Sequence, residues 1–232
     1  MKFSKDVYIF VLPLLILDIA WHIYSLPTIY NQWLYFFVIT FPTSVGLILL
    51  ASLFRDPDRI PDSNYIEGKT ILSPADGELC GLEEEDGNTA IYVEMHYYNV
   101  HVSRAHLPGK VTKITRGKGK HHLVYFINKN LHPDTNAIRK NARVIIDLED
   151  NEGNPFKVFL ICGAFFRRAQ PYVKVGDKIT EGQRIGVIAF GSTVKITLPG
   201  KNYRMIAKFG DKLKGGKTIL CERSNEPIIM EK

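Results

Sequence analysis

Cysteine is scarce. The 232 residues hold three, Cys80, Cys162 and Cys221, with no CxxC pair. An odd, scattered set supports neither a disulfide framework nor a paired-thiol redox motif, and it suits reduced thiols in a cytosolic compartment. None has neighbours that mark a nucleophile, so all three read as small core residues. The zinc-hydrolase signatures HExxH and HxH are both missing. So is the Met-Lys hairpin that carries biotin or lipoate, and there is no internal repeat or low-complexity run. Charge is nearly missing from the N-terminal quarter. Before Arg55 only Lys2, Lys5, Asp6 and Asp18 are charged, and they cancel.

Hydrophobic residues make up 45% and charged residues 23%, enough for a packed core and too apolar for disorder. The formal charge of +6 therefore belongs to the part from Arg55 onward. Such an excess suits nucleic acid or an anionic membrane surface. The N-terminus decides for the membrane and against nucleic acid.

Residues 7–24, VYIFVLPLLILDIAWHIY, are mostly apolar, with Asp18 and His22 as the exceptions. Residues 33–54, WLYFFVITFPTSVGLILLASLF, carry no charge and are long enough to cross a hydrocarbon core of about 30 Å. The first segment is marginal, because an acid at a helix centre costs about 3 kcal/mol on insertion. SLPTIYNQ between them, with Pro27 and Asn31, predicts a helical-hairpin loop. Trp21, Tyr24, Tyr30, Trp33 and Tyr35 suit the interface. A secretory signal is disfavoured, since no small-residue cleavage site follows the first segment and a second one comes after it. A buried core hairpin is the plainer alternative. Lys2 and Lys5 before the pair, and Arg55 and Arg59 after it, put the main domain on the cytoplasmic side of the cell membrane. The expected division is a membrane-associated helical hairpin over 1–54 and a second domain over 55–232.

From residue 66 the pattern changes to short alternating runs broken by glycine, with Asp-Gly and Gly-Asp pairs as hairpin punctuation. This predicts a mainly β domain, an antiparallel hairpin-rich barrel or sandwich with at most one helix. NKNLHPDTNAIRKNA is too polar and irregular for a strand and reads as a loop or short helix.

Three constellations could carry chemistry. Ser73-Pro74-Ala75-Asp76-Gly77 presents an aspartate in a turn, although Pro and Asp-Gly are ordinary turn residues. NVHVSRAHLPG groups His101, Arg104 and His106. If 99–105 is a strand, the two histidines point to opposite faces, and His101 between Val100 and Val102 could simply be packed. The third is Gly191-Ser192-Thr193, where the plain reading is a bulge and an edge hydroxyl. The chemical reading is self-cleavage. The Ser192 hydroxyl attacks the Gly191 carbonyl, elimination from the resulting ester leaves dehydroalanine, and hydrolysis leaves a pyruvoyl group. That carbonyl can take a substrate amine and act as an electron sink. Glycine keeps the attacked carbonyl open, and the serine needs a base with an aspartate to orient it.

With these pieces in order, the chain resembles the phosphatidylserine decarboxylase family in its short form, a group that includes archaetidylserine decarboxylases. The matching stretches are LFRDPDR (53–59), SPADGEL (73–79), NVHVSRA (99–105), YVKVGDKITEGQRIGVIAFGSTVKITLP (172–199) and GDKLKGGKTIL (210–220). The resemblance implies cleavage between Gly191 and Ser192, giving a β-chain 1–191 and an α-chain 192–232. It implies a pyruvoyl cofactor made from Ser192, with Asp76 and His101 completing the self-cleavage set and no metal. The implied substrate is an anionic phospholipid, decarboxylated to its ethanolamine form at a membrane, and a homodimer is allowed. Arg104, His106, Arg167 and Arg168 are candidates for substrate contact. His106 departs from the family, which commonly has proline there, and Ser103 stands where asparagine is common. Two other classes stay open: a zinc peptidase using Asp76, His101, His106 and His121 or His122, and a tethered lipoyl-like adaptor suggested by VKVGDKITEGQRIGVI.

Overall fold

The computed structural model describes residues 6–25, 32–122, 136–164, 168–188 and 192–225. They fall into two compact units, Met1–Asp58 and Arg59–Lys232.

In the first unit, helix α1 covers Asp6–Ser25. A second helix starts with α2 (Gln32–Tyr35), passes through a π-helical turn at Phe36–Thr40 and continues as α3 (Phe41–Leu53). Pro42 sits in the first turn of α3. It has no N–H to give the ladder, and the Phe41 N–H reaches back five residues to the Phe36 carbonyl. Ser25 Oγ and Tyr35 Oη are hydrogen-bonded at 2.6 Å, and the His22 ring meets Tyr35 edge-on at 5.6 Å. The two polar residues of the first segment serve each other. His22 Nδ1 lies 2.6 Å from the Asp18 carbonyl and 3.6 Å from its carboxylate. Among the described residues one stretch, Trp33–Ser52, is long and apolar enough to cross a membrane, while Val11–Ser25 is a shorter apolar helix.

The second unit is mainly β. Its strands are β1 (Thr70–Leu72), β2 (Gly77–Glu85), β3 (Asn88–Met95), β4 (Val102–Arg104), β5 (Gly109–Gly117), β6 (Arg143–Glu149) and β7 (Pro155–Ile161). They continue as β8 (Ala169–Pro171), β9 (Lys178–Ile179), β10 (Arg184–Ile188), β11 (Ser192–Leu198), β12 (Tyr203–Met205), β13 (Lys212–Leu213) and β14 (Ile219–Arg223). One antiparallel, curled sheet runs β13-β2-β3-β11-β7-β6-β5-β9, and two three-stranded sheets run β4-β10-β8 and β1-β14-β12. Helix α4 (Asn136–Lys140) is the one helix among this unit's described residues.

Local chemistry explains the β2–β3 hairpin. Asp86 and Gly87 both take positive φ, 51° and 79°, the turn whose twist matches the flanking strands. Non-local packing explains β11, which lies between β3 and β7 with all seven residues buried. Val194, Ile196 and Leu198 face the main core with Ile91, Val93 and Leu160. On the other face Lys195 lies 5.2 Å from the Tyr92 ring and 5.0 Å from the Phe159 ring, with its ammonium 2.7 Å from Glu85. Cys162 and Cys221 are buried and Cys80 half-buried. Desolvation pushes all three thiols up, Cys162 to about 11. They are core residues and poor nucleophiles at neutral pH.

Candidate active site

Ser192 is the first residue of β11 and is fully buried. It pairs with Met95, and the next row reads Thr193, Glu94, Glu78 across β11, β3 and β2. Gly77 thus stands beside Met95, and its bareness is required. A Cβ there would lie 2.0 Å from the Glu94 carbonyl oxygen. The Ser73–Gly77 turn can therefore come down onto the same end of the sheet as Ser192. Two strand spacings separate the backbones of 77 and 192, about 10 Å.

The turn holds Asp76 firmly. Arg59 Nη2 donates to its carboxylate oxygens at 2.8 and 3.2 Å, and the Gly215 N–H donates to Oδ1 at 2.8 Å. A Cβ on Gly215 would fall 2.9 Å from Ala75 Cα, so this approach also needs glycine. The Gly216 N–H donates to the Ser73 carbonyl at 2.8 Å, and the Arg104 N–H to the Pro74 carbonyl at 2.7 Å. That last bond ties β4 to the aspartate turn.

His101 is buried and immediately precedes β4. The strand expected over 99–105 is shorter, covering 102–104, because Asn99 turns the chain by accepting the His96 N–H at 2.7 Å. The His101 carbonyl accepts the Ile188 N–H at 3.1 Å, and β4 and β10 pair through Val102 and Val187. Ile188 lies four positions before Ser192, so His101 is laced to the segment leading into the serine. Gly191 lies outside the described residues.

Ser192 itself is fully buried. Its Oγ donates to Met95 Sδ at 3.4 Å, a weak acceptor that leaves the hydroxyl loosely held. The position also fits a carbonyl in place of the hydroxyl, since such a group brings no proton to satisfy. Beneath it, burial and Glu78 push Glu94 up to about 7, and Glu78 lies 3.1 Å from His96 Nε2.

The substrate candidates separate. His106 is completely buried, with Nε2 3.2 Å from the Thr197 carbonyl and its ring edge-on to Phe156 at 5.3 Å. Burial pulls it down to about 4. Thr197 lies five positions along β11 from Ser192, about 17 Å, so His106 is a packing residue. Arg104 is buried and donates from Nη1 to the Gly182 carbonyl at 3.1 Å. Arg168 is exposed and lines an open groove with Arg116 and Arg143. Arg167 lies outside the described residues. No group of three His, Cys, Asp or Glu able to hold a metal ion occurs among the described residues.

Sequence reasoning missed Arg59, Met95 and Gly215. Arg59 was visible only as a flanking positive charge and as the last letter of LFRDPDR. Nothing local announces that it will meet Asp76.

A family model described as phosphatidylserine decarboxylase matches residues 48–221. The chain belongs to this family. Relatives within it include the phosphatidylserine decarboxylase proenzyme of Solidesulfovibrio magneticus, 32% identical over 203 residues, 83% of this chain and 89% of that one. The corresponding proenzyme of Cupriavidus pinatubonensis is 34% identical over 188 residues, 78% of this chain and 81% of its own. A Methanococcoides burtonii protein named "Putative archaetidylserine decarboxylase proenzyme" is 30% identical over 209 residues, 90% and 84% of the two chains. Decarboxylase family members of this kind are carboxy-lyases named as proenzymes.

Proposed function

We propose that the chain cuts itself between Gly191 and Ser192 and then decarboxylates phosphatidylserine, or its archaeal ether analogue, to the ethanolamine lipid and carbon dioxide. One observation carries the reading. Ser192 lies buried at the head of β11, with its hydroxyl on the Met95 thioether among the described residues, at the sheet end where the Asp76 turn and the His101 segment are anchored.

In the proposed self-processing, Ser192 Oγ adds to the Gly191 carbonyl carbon and the peptide C–N bond breaks. His101 takes the hydroxyl proton and returns it to the departing nitrogen, leaving an ester. Asp76 orients the base, and Arg59 and the Gly215 N–H fix the aspartate. Loss of the residue-192 α-proton then expels the Gly191 carboxylate. Water replaces the nitrogen, which leaves as ammonia, and a pyruvoyl group remains at the new N-terminus. That group supplies a carbonyl that takes the substrate amine and draws off the electrons freed when carbon dioxide leaves. Burial of position 192 favours loss of a carboxylate charge.

The reading makes 1–54 the membrane-associated part and 55–232 the catalytic domain, on the cytoplasmic side of the cell membrane. It makes 1–191 and 192–232 the mature chains. Ser192→Ala is expected to leave one uncut chain and no carbon dioxide release from phosphatidylserine vesicles. Decarboxylation surviving that change would refute the reading.

A further inference from the structure

Arg116 on β5, Arg143 on β6 and Arg168 just before β8 line one open groove of about 370 Å³, together with Cys162, Ala169 and Gln170. This size suits a small polar headgroup. Among the described residues no carboxylate lines the groove, and none of the three arginines has an ion-pair partner. Arg143 is also held in place. Its Nε donates to the Asn141 carbonyl at 3.1 Å and its Nη2 to the Ile138 carbonyl at 2.6 Å, at the end of α4. Three arginines that line one groove with no carboxylate among its described lining residues leave a positive excess for an anion to neutralise. Two bidentate forks and a fixed third charge are the donor set that a phosphate takes.

The groove lies at the end of the sheet where β11 begins. Thr193, Ile161, Arg143 and Gly117 form one row across β11, β7, β6 and β5. Cys162, which lines the groove, follows Ile161, and Ile161 pairs with Thr193, so the groove and the head of β11 lie at the same end of the sheet. In a serine phospholipid only a few bonds separate the amine from the phosphorus.

We propose that Arg116, Arg143 and Arg168 form the subsite for the phosphodiester of the lipid headgroup, an assignment that rests on the decarboxylase reading. The subsite holds the headgroup by its phosphate and presents the amine and carboxylate towards position 192. Its substrate is then a phosphodiester of serine, whatever hydrocarbon lies beyond the glycerol.

The test uses the full chain in neutral detergent micelles. Glycerophosphoserine and inorganic phosphate are titrated separately, against the wild type and against the R116Q/R168Q double variant. Arg143 stays in place because it closes α4. The expected result is binding of glycerophosphoserine that weakens tenfold or more in the double variant and is partly restored in R116K/R168K. In vesicle assays the double variant should show a raised KM, an unchanged kcat and complete cleavage at 191/192. Glycerophosphoserine binding undiminished in the double variant overturns the subsite. Phosphate binding as tight as glycerophosphoserine makes the groove a general anion site and overturns the headgroup assignment. Arginine-dependent binding by a chain that neither cleaves nor releases carbon dioxide upholds the groove and sinks the decarboxylase reading instead.

Discussion

His101 and His106 are five positions apart and do different work. His101 is tied through its carbonyl to the segment that leads into Ser192. His106 gives its Nε2 proton to the Thr197 carbonyl inside the core, which fixes it as a neutral ring. His106→Ala is therefore expected to cost about 2–4 kcal/mol of stability while cleavage at 191/192 still proceeds. His101→Ala should block cleavage, and gel analysis beside thermal unfolding separates the two. Glu94 and Glu181 are both raised carboxyls. Desolvation pushes both up to about 7, so the folded chain binds protons that the unfolded chain has already released. Their contribution is full below about pH 4.5 and is lost as pH rises through about 7. His106 acts oppositely, stabilising above about 6.5 and losing this as pH falls towards about 4. Unfolding temperature should accordingly fall between pH 6 and pH 8. Glu181→Gln should flatten that fall, because the amide can still accept the Leu72 N–H that now reaches Oε1 at 3.0 Å.

At the scale of elements, close backbone approach positions the site. Gly77 lets β2 pair beside Met95, and Gly215 lets its N–H reach Asp76. Gly77→Ala is expected to force β2 off β3 and to abolish cleavage in whatever chain still folds; rapid, complete cleavage would contradict this. These elements were unevenly legible in the sequence. The Asp86-Gly87 hairpin was plain, because its turn chemistry is local. The short helix in NKNLHPDTNAIRKNA was bounded but not chosen, and α4 occupies 136–140 of it. The two-residue strands β9 and β13 left no pattern to read, and β11 pairs with β3 and β7, far away in sequence. His106 was misplaced for a related reason. Alternation put it on a different face from His101, but only the fold shows Thr197 and Phe156 closing around it.

For the whole molecule, composition carried far. An uncharged apolar stretch followed by a basic β domain is visible in the letters alone, and Trp33–Ser52 is the described helix that meets the length and composition of a span. The stretches 73–79, 99–105, 172–199 and 210–220 lie far apart in the chain, and the fold ties all four together. Hydrogen bonds from Arg104 to Pro74, Ile188 to His101 and Gly215 to Asp76 show how. None of these long-range bonds is written locally, so the sequence supported a list of residues and the fold supplied their arrangement. The proposed chemistry consumes Ser192 to make the cofactor. Intact mass spectrometry of the purified chain reads this out. Two species are expected, 1–191 and a 192–232 chain whose N-terminus is a pyruvoyl group closed to Edman degradation. A single uncut 232-residue chain that releases carbon dioxide from phosphatidylserine would contradict it.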